Sequence, residues 1–166
     1  MMTVDDSDGA RARFIEAVAT QWRQLGSVPM DGRVLAFLII AEQEIVSSAE
    51  LAAGLGVSQG AISASTRNLV ASGAVRRVWV AGDRSHYFAV QDDPLGSMFK
   101  AGVPNQAALE KVFRPEADLD PHLTLASRTR LRNAADYYAW FESRREALAD
   151  EWEAYKASRP PLEPED

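Results

Sequence analysis

The sequence predicts a mainly α-helical fold that carries one small β-hairpin. Three observations lead there. Apolar residues recur at three- and four-residue spacing over residues 8–25 and 127–158, the period of a helix with one buried face. Two shorter helical segments between Ser47 and Gly73 are separated by Gly56, Val57 and Ser58. Directly after them, AVRRVWVAGDRSHYFAV holds two β-rich runs around Gly82 and Asp83, residues that favour a turn. In this order the segments describe a winged helix-turn-helix domain with long helices on either side.

The first amphipathic helix covers residues 8–25, with Phe14, Ile15, Val18, Trp22 and Leu25 on one stripe and Gly26 at its end. SVPMDG is a loop. A second helix, from about Met30 to Glu42, is apolar on most sides (Val34, Leu35, Phe37, Leu38, Ile39, Ile40). That predicts the central buried helix. Ile45 and Val46 make a very short extended piece. Ser47-Ser48-Ala49-Glu50 has the capping-box pattern, a hydroxyl at the cap and a carboxylate three residues on. It opens a short helix that Gly56 closes. Ser58 caps the next helix, which stops at Gly73. On a helical wheel Ile62, Thr66, Leu69 and Val70 point inward, while Gly60, Ser63, Ala64, Arg67 and Asn68 point outward.

Val75 to Val80 and His86 to Val90 then pair as the hairpin, with Gly-Asp-Arg-Ser as its turn. After Asp92-Asp93-Pro94 a helix spans roughly 95–113, weakened near Gly102-Val103-Pro104, and RPEADLDPH is expected to break the chain. A long helix from about Ser127 to Ser158 carries Leu131, Ala134, Tyr138, Phe141, Leu148, Trp152 and Tyr155 in a heptad-like seam, the pattern of packing on a partner helix. The tail RPPLEPED is expected to be disordered. The predicted organisation is an acidic tail and first helix over 1–27, the winged domain over 28–92, a helical region over 93–158 and a tail over 159–166.

Composition narrows the function. Hydrophobic residues make up 46% of the 166, enough for a real core. Without cysteine, structural disulfides, Cys-ligated zinc and thiol-based redox sensing are excluded. The start, MMTVDDSDGA, is acidic and lacks an apolar signal core, and the longest apolar run, VLAFLIIA, is far below the ~18 residues that span a bilayer. A cytoplasmic protein with no membrane partner is expected. The net charge of -6 argues against nucleic-acid binding by bulk attraction. Yet residues 47–90 hold four arginines against Glu50 and Asp83, while both ends are acidic. A mildly basic middle between acidic ends is compatible with a local DNA-binding surface.

Enzyme and metal readings find little support. His86 and His122 lie in unrelated contexts, and Asp118, Asp120 and His122 share a Pro-broken loop. Neither a phosphate-cradling glycine loop nor a nucleophile motif is present. No catalytic residue, metal ligand or cofactor is assigned.

The outer face of the helix after Ser58 is unusual for a surface. A helix entering the major groove must approach base edges closely, so small residues such as Gly60 and Ala64 near its start are useful. Ser58, Gln59 and Ser63 can donate to phosphates or bases, free N–H groups at the helix start favour a phosphate, and Arg67 can reach phosphate or guanine. A capped surface helix rich in Ala and Ser is the other reading. Strand alternation sends one of Arg76 and Arg77 outward, here taken as Arg77 on a phosphate, against a merely solvated strand face. Arg84 and Ser85 sit at the hairpin tip, and His86 either contacts DNA or caps the strand. Asp83 orients the turn or pairs with an arginine.

GLGVSQGAISASTRNLVASGAV followed by RRVWVAGDRSHYFAV resembles the MarR-type winged-helix transcription regulators, and among them the GbsR-like branch, over about residues 28–92. The resemblance implies a homodimer on a pseudo-palindromic site in double-stranded DNA, with two recognition helices in successive major grooves. A wing arginine, here Arg84, would reach the minor groove. The flanking helices would form the dimer interface through Phe14, Val18, Leu131, Tyr138, Phe141, Leu148, Trp152 and Tyr155. A small-molecule effector pocket would draw on Trp22, Tyr137 and Trp140, for which dimer core is the other reading. Repression of a promoter is the implied action. The alternative is a winged-helix protein–protein adaptor without DNA binding, which the net charge of -6 suits.

Overall fold

The structure, a computed structural model, describes residues 4–102, 106–119 and 122–161. Among these the chain runs α1 (Val4–Gln24), α2 (Pro29–Ile39), β1 (Val46–Ser47), α3 (Ser48–Leu55), α4 (Gln59–Ala71), β2 (Val75–Val78), β3 (Tyr87–Val90), α5 (Pro94–Ala101), α6 (Gln106–Leu119) and α7 (Leu125–Ser158). Two compact units result, the first ending at Ser97 and the second beginning at Met98. A mainly helical fold with a winged helix-turn-helix is what the sequence predicted. None of the described helices is long and apolar enough to cross a membrane.

In the first unit α2 is the buried centre: Val34, Leu35, Ala36 and Leu38 are out of solvent. Leu51 of α3, Ile62 and Leu69 of α4 and Val75 of β2 complete the core. Fully burying a side chain of this size contributes about 1.5–3 kcal/mol. Helix α1 lies on α2 through Ile15 and Ala19. The approach is close enough that a Cβ on Gly32 would stand 2.9 Å from Cβ of Trp22. Glu16 of α1 pairs with Arg33 of α2 at 2.7 Å.

The helix-turn-helix is set by its caps. Ser47 Oγ accepts from the Glu50 amide at 3.1 Å, and the Glu50 carboxylate accepts from the Ser47 amide at 2.7 Å. These hydrogen bonds to Ser47 hold the Glu50 carboxyl below its ordinary pKa. Gly56 ends α3 with φ at 63°, the left-handed region where glycine is unstrained. Ser58 Oγ caps α4 by accepting from the Ala61 amide.

The hairpin gains a third strand. Val46 and Ser47 pair antiparallel with Phe88 and Tyr87, so the order is β1-β3-β2. The extended piece seen in the sequence is thus a sheet edge that ties the wing to the start of α3. The strands are shorter than expected, because Trp79 and Val80 lie beyond the end of β2.

The region after the wing departs from expectation. The segment read as one weakened helix over 95–113 is two helices, with Gly102 at φ 72° after the first. The break expected from RPEADLDPH does not stop α6, which runs on to Leu119. In the second unit α6 lies along α7, and Phe113 stacks on Tyr138 with ring centroids 6.0 Å apart. Packing of this kind overrides a local stop signal. Arg145 of α7 donates to Glu142 and to the Lys100 carbonyl at the end of α5, satisfying a carbonyl a helix end leaves orphaned. Residues 162–166 of the expected disordered tail, and Asp120, lie outside the described residues.

Candidate nucleic-acid interface

Helix α4 and the wing enclose a concavity of about 560 Å³, lined among others by Gln59, Ser63, Arg67, Val70, Arg77 and His86 over a floor of Thr66 and Phe88. The geometry follows from two simple patterns. Ile62, Ser65, Thr66 and Leu69 are buried and fix the inner face of α4. Gly60, Ser63, Ala64 and Arg67 are left outside. In the sheet, Arg77 stands opposite Phe88, so both lie on the sheet face that lines the concavity.

Two expectations about the wheel need correction. Val70, expected inward, is 39% exposed and lines the concavity. Ser65, not assigned to the inner face, is buried there. A thirteen-residue helix packed against both α2 and α3 buries a stripe shifted from the one its large residues mark.

The candidate contact residues differ in how free they are. The Ser58 hydroxyl oxygen serves the cap. Arg67 donates to Ser63 Oγ at 3.2 Å, so the guanidinium is held back along the outer face. Asn68 is exposed, yet its amide donates to Asp31 of α2 at 3.0 Å. Asp31 itself is buried, and the sequence reading did not single it out.

On the wing, Arg77 donates to the imidazole of His86 and lies over the Trp79 ring, 4.3 Å from its centroid. His86 also accepts from the Ser48 amide through its carbonyl, at 2.8 Å. Its position thus joins the hairpin to α3. At the tip Gly82 has φ 83°. Asp83 accepts from the Ser85 amide at 2.7 Å and from the Tyr87 hydroxyl at 2.8 Å. Those bonds, led by Ser85, hold the Asp83 carboxyl below its ordinary pKa, and the bond to Asp83 raises that of Tyr87. Asp83 therefore orients the turn, the first of the two roles the sequence allowed it. Arg84 and Ser85 are exposed at this tip.

The residues expected on the dimer arms fall into two groups. Phe14, Val18, Trp22 and Leu25 line a shallow apolar depression on α1, beside buried Ile15 and Ala19, and Trp22 also abuts Gly32 of α2. On α7 the expected single seam is split. Ala135 and Ala149 are buried, and Tyr138 is engaged by Phe113. Tyr137, Trp140, Leu148, Trp152 and Tyr155 are exposed, while Leu131 and Phe141 are half-buried. Trp22 belongs to the first unit and Tyr137 and Trp140 to the second.

Comparison with known proteins agrees with this geometry. Residues 29–84 match the MarR family. The chain is 29% identical over 134 residues to the HTH-type transcriptional regulator MmpR5 of Mycobacterium tuberculosis, with 78% of this chain and 79% of that protein covered. The crystal structure of a transcriptional regulator superposes with a TM-score of 0.75 at 26% identity, over 87% of this chain and 99% of the other. A weaker likeness, with a TM-score of 0.42 at 16% identity over 86% of this chain and 99% of the other, is to a mutant of S. aureus MepR bound to an oligodeoxyribonucleotide. Over residues 29–84 the winged helix is thus similar to that of the MarR-family transcriptional regulators.

Proposed function

We propose that the chain binds double-stranded DNA sequence-specifically as a homodimer and represses by occupying a promoter. One observation carries the reading: Ser63 and Arg67, exposed on α4 together with the small Gly60 and Ala64, share a concavity with Arg77 and His86 of the wing. Small side chains let a helix approach base edges, and the cations supply the attraction that a chain of net charge -6 lacks in bulk. In this reading Ser58, Gln59, Ser63 and Arg67 meet bases and phosphates in the major groove. Arg77 meets a phosphate, and Arg84 with Ser85 enters the minor groove.

The exposed Phe14, Leu148, Trp152 and Tyr155, with the half-buried Val18, support self-association through α1 and α7. An effector site at Trp22, Tyr137 and Trp140 rests on the resemblance to the family and on the accessibility of the two rings on α7. Assignment to the GbsR-like branch rests on the G-D-R wing of Gly82, Asp83 and Arg84.

Duplex binding at increasing salt tests the reading. Affinity should fall by about 0.9 log units per log unit of salt for each phosphate neutralised. Arg67→Ala with Arg84→Ala should flatten that slope and weaken binding. Unchanged duplex binding by the double variant removes the site assignment. If random duplexes yield no preferred sequence, the adaptor reading takes its place.

A further inference from the structure

Trp79 stands out on the wing. It lies just past the end of β2, and it is 76% exposed. An indole left in water forgoes the burial that a side chain of this size ordinarily gains. Its surroundings are cationic. The guanidinium of Arg77 lies over its ring, and Arg77 also lines the concavity beside Gln59, Ser63 and Arg67. Arg84 follows at the exposed tip. The single carboxylate of the turn, Asp83, already accepts from Ser85 and Tyr87.

We propose that Trp79 is a DNA contact of the wing: its indole lies against the sugar–phosphate wall beside the groove that Arg84 enters. The inference rests on the duplex-binding reading above and adds a residue to it. The physical argument has three steps. First, the ring belongs to the interface side, because the group stacked on it also lines the concavity. Second, an apolar face beside arginines, with its one nearby carboxylate already engaged, suits a polyanion whose sugars present C–H groups and whose phosphates accept hydrogen bonds. The indole N–H is a donor only, which matches phosphate oxygen. Third, the Arg77 stack restrains the ring before DNA arrives, so little side-chain freedom remains to be lost on binding.

The test uses the full chain and the duplex bound most tightly in a selection from random sequence. Trp79→Ala should weaken binding about tenfold while leaving the salt slope unchanged, since no charge is removed. Arg84→Ala should lower that slope by about one phosphate's worth. Acrylamide quenching of tryptophan emission should fall when the duplex is added, and Trp79→Phe should abolish the change. Trp79→Ala binding as tightly as the parent, or a Trp79 equally quenchable in the complex, overturns the proposal alone. A parent chain that binds no duplex overturns the duplex-binding reading and this proposal together. A Trp79→Ala variant that keeps its duplex affinity but loses a protein partner assigns the indole to that partner and overturns the contact proposed here.

Discussion

The side-chain amide of Asn68 on α4 donates to Oδ2 of Asp31 on α2 at 3.0 Å, joining residues 37 apart in the chain. Asp31 is buried, and among the described residues its other oxygen has no hydrogen-bond partner. Its charge is eased by its place in the first turn of α2, where a helix favours an anion. The bond therefore serves the placement of α4 against the core.

Asn68→Ala leaves the Asp31 carboxylate buried without that donor. Leaving such a group unsatisfied costs about 1–3 kcal/mol, and denaturant unfolding should show a loss of that size. Asp31→Asn should cost less, because an amide oxygen can still accept from Asn68. If Asn68→Ala keeps full stability and instead relaxes the preference for one base, the residue is a base reader rather than a tether.

Two helical glycines separate clearance for packing from clearance for DNA. A Cβ on Gly32 would meet Cβ of Trp22 at 2.9 Å and Cα of Ala19 at 3.2 Å. Neither is the free end of a flexible chain, so α1 must shift. Gly32→Ala should lose about 1–3 kcal/mol to overpacking, less up to about 1 kcal/mol regained in helix propensity. At Gly60 the nearest atom to an added Cβ is Ser58 Oγ at 3.8 Å. Gly60→Ala should keep the melting temperature, whereas Gly60→Leu should weaken duplex binding without unfolding the chain. Equal duplex affinity for Gly60→Leu would remove the argument that α4 is small on its outer face for the sake of a groove.

The wing turn should depend on pH through Asp83. Hydrogen bonds from Ser85 and Tyr87 depress the pKa of its carboxyl in the folded chain. A depressed pKa means that the stabilisation is complete above the unfolded value, about 3.9. It is lost as pH falls through the lower folded value. Hydrogen exchange at the Ser85 amide should therefore be protected near neutrality and lose protection in acid. Asp83→Ala should abolish the protection at every pH. A Ser85 amide equally protected in Asp83→Ala would show that the turn does not rely on this carboxylate.

What the sequence made legible was periodic or local. The capping box at Ser47 and Glu50, the stop at Gly56 and the hairpin around Gly82 are written in short stretches whose chemistry is complete in itself. The placement of Gly60, Ser63, Ala64 and Arg67 on one outer face followed from the helical period. Legibility ended where a partner lay far away in the chain. Nothing around Asn68 announces Asp31, and nothing around Tyr138 announces Phe113. Trp79 was read as a strand former, because β propensity does not say where a strand ends. A register that pairs Val78 with Tyr87 ends the strand there and leaves the next residue in solvent. Proline gave the wrong stop in α6, where packing on α7 outweighed the local signal.

The two sides of α7 give the last prediction. Ala149 is buried at 6% exposure, while its neighbour Leu148 is 49% exposed. One helical step thus separates a residue packed within the chain from one facing out. Ala149→Glu forces a carboxylate into a buried position at the hollow it shares with Lys100, Arg145, Glu146 and Asp150, and should lower stability of the second unit more than Leu148→Glu does. Leu148→Glu meets water in the isolated chain and should leave its helicity intact. If the outer stripe of Leu148, Trp152 and Tyr155 mediates self-association, Leu148→Glu should shift the mass seen by light scattering from two chains to one at micromolar concentration. Since two half-sites must be held together for tight operator binding, the same variant should bind a full site no better than a half-site. A parent chain that is already a monomer, or a Leu148→Glu dimer as tight as the parent, would place the interface elsewhere.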